Sequence, residues 1–239
     1  IKLGLQAELD SLFRYPDPAG KALKTAIAEK LGVSTDCIAL GNGSHELLMQ
    51  LAQVFAGPED EVLVSRYCFA VYPIAAKAAG ARLVVVNANP PGHDMPLGHE
   101  LEALLAGITV KTKMICFANP NNPTGTWFSF ESLARFLKGV PENVLVVVDE
   151  AYLEYATAPE IRSALALAGD YPNLIVTRTF SKAYGLAGLR IGYAIAHKDT
   201  IAKMEAWDSI DAISIMALQG AKAPQHLDAK RGEAGAAAA

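Results

Sequence analysis

A carboxylate and a phenol follow one of the most apolar runs of the sequence. Asp149 and Tyr152 come directly after Val144–Val148, in which every residue is Val or Leu. Burying a carboxylate without a partner is costly, so Asp149 at the end of a hydrophobic strand predicts a cationic partner. An acid of a metal or nucleotide-phosphate site is the alternative, but the sequence contains no Gly-Lys-Ser or Gly-Lys-Thr phosphate loop.

A lysine and an arginine lie in a glycine-rich segment after another apolar run. Leu174–Thr177 is followed by Thr179, Ser181, Lys182 and Arg190. Arg190 could bind a phosphate through both arms of its guanidinium, and Lys182 could react with an aldehyde. No charged residue lies between these two cations. The apolar composition therefore predicts a buried segment, whereas a solvated surface loop is the alternative.

A glycine turn precedes one amphipathic stretch. Gly43, Ser44 and His45 lead into the apolar-periodic residues of Ser44–Phe55. The N–H groups and the dipole at the start of a helix would suit one phosphate. Glu46 stands where a dinucleotide fingerprint has its third glycine, so that fingerprint is not matched. An ordinary helix cap made by Ser44 is the alternative interpretation.

An amide-rich turn follows the apolar run Met114–Phe117. Asn119–Gly125 contains three asparagines, among them Asn122, together with two prolines and one glycine. Asn and Pro are common turn formers, so a plain turn explains part of this pattern. Their number at the exit of a buried strand predicts a turn that holds a ligand.

Composition narrows the possible function classes. The 239 residues are 51% apolar and 19% charged, with a net charge of −4, so the chain can bury a large core and lacks a basic surface for nucleic acid. No apolar run reaches the roughly 18 residues of a membrane span. Cys37, Cys68 and Cys116 form no CxxC pair, and the histidines form no HExxH motif. We therefore expect no disulfide framework, no metal site and a cytoplasmic location.

Apolar runs alternate with amphipathic stretches, which is typical of βα units. We expect strands at Cys37–Leu40, Glu61–Ser65, Arg82–Val86, Met114–Phe117, Val144–Val148, Leu174–Thr177 and Arg190–Ala196. We expect helices at Gly20–Leu31, Ser44–Phe55, Val71–Ala79, His99–Ala106, Phe130–Lys138 and Ile161–Ala168. Continuous apolar strands indicate a mostly parallel sheet covered on both faces. Ligands of such sheets lie beyond the carboxyl ends of the strands, where the polar residues described above occur.

Three chemical groups would satisfy these strand ends together. A phosphate suits the helix start and Arg190, an aldehyde suits Lys182, and a protonated ring nitrogen suits Asp149. Pyridoxal 5′-phosphate (PLP) carries all three groups. The residues therefore predict a PLP site.

Five strings of the sequence resemble the histidinol-phosphate aminotransferase family, which are fold-type I PLP enzymes. The strings are residues 14–17 (RYPD), 41–44 (GNGS), 119–125 (NPNNPTG), 149–152 (DEAY) and 179–193 (TFSKAYGLAGLRIGY), in family order. The resemblance implies an α/β fold whose mostly parallel central sheet is sandwiched by helices. It implies a PLP-binding large domain at residues 1–206, with residues 207–239 an unmatched remnant of the C-terminal region.

The resemblance also implies roles around the cofactor ring. Lys182 is similar to the lysine that forms the Schiff base, and Asp149 to the acid that pairs with the pyridinium nitrogen. Tyr152 and Asn122 resemble the donors to the phenolic oxygen. Phe69 aligns with the aromatic residue that stacks on the ring. The peptide bond after Asn122 is cis in related enzymes.

A second group of residues resembles the family's phosphate site. Its members are Gly43, Ser44, His45, Thr179, Ser181 and Arg190. Tyr15 resembles a residue that reaches the phosphate of the neighbouring subunit, which implies a homodimer.

The family's activity is amino transfer between L-histidinol phosphate and 2-oxoglutarate in histidine biosynthesis. The family's Asn-rich N-terminal segment and its small C-terminal domain, which carries the arginine for the glutamate carboxylate, have no match here. We expect that these parts are missing from the sequence. An aromatic-amino-acid aminotransferase, a PLP decarboxylase such as threonine-phosphate decarboxylase, and a catalytically incomplete PLP-binding fragment are the alternatives.

Overall fold

A computed structural model describes residues 1–207 and 213–222. The α-helices of these residues are α1 (Lys2–Glu8), α2 (Lys21–Leu31), α3 (Ser44–Phe55), α4 (Val71–Ala78), α5 (Leu101–Ala106), α6 (Phe130–Gly139), α7 (Lys198–Trp207) and α8 (Ile215–Lys222). The strands are β1 (Ile38–Gly41), β2 (Glu61–Ser65), β3 (Arg82–Val86), β4 (Thr112–Ala118), β5 (Leu145–Asp149), β6 (Leu174–Thr179) and β7 (Gly192–Ile195). We expected a C-terminal remnant at residues 207–239. Of these, residues 208–212 and 223–239 lie outside the described residues.

The strands form a seven-stranded sheet in the order β1-β7-β6-β5-β4-β2-β3. The pairs β2–β3, β2–β4, β4–β5 and β5–β6 are parallel, and the edge strand β1 pairs with β7 in antiparallel orientation. The prediction of a mostly parallel α/β sheet is confirmed. Asp149 lies opposite Ala118 on one neighbouring strand and Thr177 on the other, so the end of β5 is flanked by the ends of β4 and β6.

The predicted strands all occur, and two of them, Glu61–Ser65 and Arg82–Val86, match to the residue. The helix predicted at Ile161–Ala168 is wrong, because only the 3₁₀ turn Ala164–Leu167 forms there. The Glu150 carboxylate accepts hydrogen bonds from the Ala164 N–H at 2.6 Å and from the Ser163 hydroxyl at 2.9 Å. These bonds tie the segment to the end of β5. Ser163 has ψ 135°, which is not helical, so the turn begins only at Ala164.

Two units divide the chain, and the second comprises Leu48–Thr177. Its core contains the interiors of β4 and β5 and the apolar face of α6. Phe117 of β4 and Phe136 of α6 meet at nearly right angles, with ring centroids 5.5 Å apart. This packing supports the carboxyl ends of β4 and β5, where the polar residues of this unit lie.

The first unit comprises Ile1–Leu47 and the described residues from Arg178 onward. It contains the antiparallel pair of β1 and β7, with α2 and α7 beside β1 and with α1 and α2 both in contact with α8. Leu23 and Ile27 of α2 are buried. Across both units, the helices that the structure describes are too short or too polar to cross a membrane.

Candidate active site

Asp149 ends β5 in the second unit, and only 2% of its surface is exposed. Its Oδ2 accepts a hydrogen bond from the Tyr72 hydroxyl at 3.3 Å, and its Oδ1 accepts one from the Ala151 N–H at 3.2 Å. Burial raises the pKa of Asp149 to about 6, although these bonds favour the charged form. A buried carboxylate with spare lone pairs fits a cationic N–H partner, such as a protonated pyridine nitrogen.

Tyr72 was not among the predicted site residues. It lies on α4 and is 1% exposed. Burial, reinforced by the charge of Asp149, holds the pKa of its phenol well above the usual range, so the hydroxyl remains a donor. The Phe69 ring lies 5.8 Å from the Tyr72 ring at nearly a right angle. The apolar sequence of this helix favours interpreting Tyr72 as an ordinary core residue. Its hydroxyl group was the only feature of the sequence that could have indicated a polar contact.

The amide-rich turn is built largely by two of its own asparagines. The Asn119 side chain binds the Phe128 backbone through both its oxygen and its nitrogen, at 3.1 and 3.0 Å. The Asn121 side chain donates to the Tyr67 carbonyl at 2.9 Å and to the Thr124 hydroxyl at 2.7 Å. Both of these asparagines are buried, so their amides hold the turn rather than a ligand.

Asn122 is the third asparagine of this turn, and it is partly exposed, as a ligand-binding side chain must be. The Asn122–Pro123 peptide bond is cis, as the resemblance implied, and so is Asn119–Pro120. Tyr152 is also partly exposed, and its ring lies 6.3 Å from that of Tyr155. The second unit therefore holds Phe69, Asn122, Asp149 and Tyr152 of the predicted set.

In the first unit, a glycine turn and an arginine are in direct contact. Gly43 has φ +79°, and a Cβ at this position would lie 2.6 Å from Arg190 Nη2. The Arg190 guanidinium donates from Nη1 to the Ala187 carbonyl at 3.0 Å and from Nη2 to the Asn42 carbonyl at 3.4 Å. The missing side chain of Gly43 therefore gives the guanidinium its place over the turn.

The start of α3 is packed tightly against the backbone of β7. A Cβ on Gly192 would lie 2.5 Å from the Ser44 nitrogen. Within the turn, the Asn42 N–H donates to Glu46 Oε2 at 2.6 Å and the Gly43 N–H donates to the Gly41 carbonyl at 2.7 Å. An anion here would therefore be bound by N–H groups of the first turn of α3, beside Arg190.

Lys182 lies in the segment that follows β6, and its side chain is exposed. Thr179 is buried, and its hydroxyl accepts the Ser181 N–H at 3.1 Å. The predicted burial of the segment from Lys182 to Arg190 is wrong. Of the residues from Lys182 to Arg190, only Leu186 is buried.

The exposure of this segment follows from its backbone. The Gly185 N–H donates to the Lys182 carbonyl at 2.9 Å, and a 3₁₀ turn follows at Ala187–Leu189. Arg190 then adopts a left-handed conformation with φ +52°. Successive tight turns and glycines keep the chain at the surface, so few of its apolar side chains can reach the core.

The remaining predicted residues also belong to the first unit. The side chains of His45 and Tyr15 are exposed, that of Tyr15 at 86%. Within the described part of the chain, no group of three His, Cys, Asp or Glu residues could hold a metal ion.

The predicted site residues of the two units supply a buried acid, an amine, an arginine at a helix start, and phenol and amide groups. This set fits the ring nitrogen, aldehyde, phosphate and phenolic oxygen of PLP.

Comparison with known proteins agrees with this chemistry. Histidinol-phosphate aminotransferase 1 of Nitrosococcus oceani is 49% identical over 189 residues, which are 78% of this chain and 49% of that protein. The chain spans about half the length of the curated relatives it matches.

Solved structures match over most of the chain. A histidinol-phosphate aminotransferase of Sinorhizobium meliloti in complex with pyridoxal-5′-phosphate matches with a TM-score of 0.86 and 33% identity, over 94% of this chain and 60% of that chain. L-threonine-O-3-phosphate decarboxylase of Porphyromonas gingivalis matches with a TM-score of 0.79 and 26% identity, over 94% of this chain and 67% of that chain. The sequence profile described as "Aminotransferase class I and II" covers residues 2–227. The chain therefore belongs to the aminotransferase class I and II family.

Proposed function

We propose that this protein binds PLP and serves in amino transfer between L-histidinol phosphate and 2-oxoglutarate. The observation that carries the proposal is the buried Asp149 at the end of β5, whose pKa burial raises to about 6. A cation beside this carboxylate would repay the cost of its burial. The protonated ring nitrogen of PLP is such a cation.

The residues of the second unit would act on the cofactor ring. Asp149 would hold the proton on the ring nitrogen, and bound PLP would then supply an electron sink for the Cα–H bond of the amino donor. Tyr152 and Asn122 would donate to the phenolic oxygen, and both have the partial exposure that this requires. Phe69 would stack on the ring face, and its ring lies 5.8 Å from that of Tyr72 at nearly a right angle.

The residues of the first unit would bind the aldehyde and the phosphate. Lys182 would hold the aldehyde group of PLP, and its amine is the group that could serve as general base for the Cα proton of the donor. Arg190 and the N–H groups of Ser44 and His45 would hold the phosphate. The hydroxyls of Thr179 and Ser181 would complete the phosphate site.

The substrates and the assembly rest on the named relatives. The relatives that cover most of this chain are histidinol-phosphate aminotransferases, which supports L-histidinol phosphate as the amino donor. We propose a homodimer in the cytoplasm, in which the exposed Tyr15 reaches the phosphate of the partner subunit. We also propose residues 1–206 as the PLP-binding large domain and residues 207–239 as part of a C-terminal region.

The visible spectrum of the protein with PLP tests this function, before and after addition of L-histidinol phosphate. We expect a yellow absorption band that L-histidinol phosphate bleaches and L-phenylalanine does not. Bleaching by L-phenylalanine alone would indicate an aromatic-amino-acid aminotransferase. Carbon dioxide released from threonine phosphate would indicate a decarboxylase. A band that no donor changes would indicate a PLP-binding fragment, and no band at all would refute the proposal.

The matched control for this experiment is Lys182→Ala. This variant keeps the acid and the phosphate residues but lacks the amine, so it should show only the spectrum of free PLP. A band shifted from that of free PLP in the variant, as in the wild type, would place the covalent bond on a different lysine.

A further inference from the structure

We propose that Tyr72 is a positioning residue that holds the Asp149 carboxylate in the orientation required by the ring nitrogen of PLP. This inference rests on the proposed function. Its geometric basis is the hydrogen bond of 3.3 Å from the Tyr72 hydroxyl to Asp149 Oδ2, formed where both residues are almost completely buried.

The surroundings of Tyr72 leave its hydroxyl few other partners. Tyr72 lines a small gap in the second unit together with apolar side chains, among them Leu51, Met114 and Val147. A phenol in such surroundings needs a polar partner for its tip, because an unpaired buried hydroxyl is costly. The Asp149 carboxylate is that partner. Ring and acid are thus locked together before any cofactor binds.

Hydrogen bonds to both oxygens hold the plane of the carboxylate. Tyr72 donates to Oδ2, and the Ala151 N–H donates to Oδ1 at 3.2 Å. The Thr177 hydroxyl also lowers the pKa of Asp149 through a hydrogen bond. A carboxylate can accept about four hydrogen bonds, so it can still accept one from an N–H group of a ligand. Substitution of Tyr72 removes its phenol and leaves the Ala151 and Thr177 donors in place.

The hydroxyl also favours the ionised form of the acid. A hydrogen bond to a charged group stabilises the charge, so loss of the bond should raise the pKa of Asp149 further above its present value of about 6. The expected increase is about one unit. The acid would then be partly protonated near neutral pH and would pair less well with a pyridinium.

Other ionisable groups near this pair act in known directions. The charge of Glu150 raises the pKa of Asp149. Burial raises the pKa of the Cys116 thiol well above its usual range and that of Cys68 to about 11, so both thiols stay neutral at working pH. None of these groups loses a contact when the Tyr72 hydroxyl is removed. A change in the Asp149 titration in that variant therefore reports the phenol.

The test is a ¹³C NMR titration of the Asp149 carboxyl carbon in the cofactor-free protein, with the signal assigned by its loss in Asp149→Asn. We expect Tyr72→Phe to raise the pKa of Asp149 by about one unit and to weaken PLP binding about fivefold at pH 6, where the ionised fraction of the acid falls from about one half to about one tenth. The control Tyr171→Phe removes a hydroxyl from a partly buried tyrosine elsewhere in the same unit and should change neither value.

An unchanged Asp149 pKa in Tyr72→Phe would overturn the inference. Should that variant fail to fold, protein grown with 3-fluorotyrosine gives the complementary test. Its more acidic phenols are stronger donors and should lower the pKa of Asp149, whereas an unchanged value would again overturn the inference. If the wild-type protein binds no PLP while its Asp149 titration still responds to Tyr72, the proposed function fails and the contact stands.

Discussion

The buried Asp149 should make the cofactor-free protein less stable as the pH rises. Its pKa in the folded protein is about 6, against 3.8 for an exposed aspartate. Below about pH 4 the acid is protonated in both states, and above about pH 6 it is charged in both. Between these values the folded state holds the proton more tightly, so stability falls as the pH rises. A shift of about two units corresponds to about 3 kcal/mol.

The substitution Asp149→Asn removes this titration with little change in shape. We expect the free energy of unfolding of the variant, relative to wild type, to rise by about 3 kcal/mol between pH 4 and pH 7. Urea unfolding of both cofactor-free proteins across this range measures the difference, and groups common to both proteins cancel. The exposed Asp170 offers the control Asp170→Asn, which makes the same substitution at the surface and leaves the buried acid in place.

The outcome decides between two descriptions of the acid. If the curves of Asp149→Asn and wild type run parallel from pH 4 to pH 7, Asp149 is not a strained acid in the folded protein. Burial of its charge would then carry no measurable cost, and no cationic ligand would be needed to offset one. If the curves diverge as expected, saturating PLP should reduce the divergence, because the pyridinium pairs with the ionised acid.

Three further substitutions test the geometry around the site. Gly192→Ala places a Cβ 2.5 Å from the Ser44 nitrogen, which is rigid backbone. We therefore expect the free energy of unfolding in urea to fall by about 3 kcal/mol, and an unchanged midpoint would contradict the tight packing. Gly43→Ala puts a side chain on a residue with left-handed backbone and brings its Cβ within 2.6 Å of Arg190. PLP binding measured by fluorescence should therefore weaken at least tenfold, and an equal affinity would contradict a phosphate site at this turn. Asn121→Ala deletes the two hydrogen bonds that the Asn121 amide donates. The free energy of unfolding in urea should therefore fall by about 2 kcal/mol, and an unchanged value would show that other contacts hold the turn.

The sheet could be predicted because its strands are short, continuous apolar runs. Val62–Val64 and Val146–Val148 are buried on both faces, and a sequence of this kind has few other stable conformations. Asp149 was found for the same reason, since a carboxylate at the end of such a run demands an explanation. These features depend on the local sequence, which is why they could be identified without the structure.

Other features depend on contacts between distant parts of the chain. The helix predicted at Ile161–Ala168 is replaced by a single 3₁₀ turn whose start is bound to Glu150, and no local pattern indicates that bond. Tyr72 reaches Asp149 across 77 residues of sequence, so its polar role was hidden within an apolar helix. The exposure of Lys182 follows from a series of turns, whereas composition alone predicted burial.

Borohydride reduction followed by peptide mass spectrometry shows which lysine forms the covalent bond to PLP. The protein is incubated with PLP, reduced, digested and searched for lysines that carry the pyridoxyl group. We expect one modified peptide, which contains Lys182, and we expect it to be absent in Lys182→Ala. Modification of another lysine in the wild type, or an equal yield of modified protein from the variant, would show that Lys182 does not form the bond.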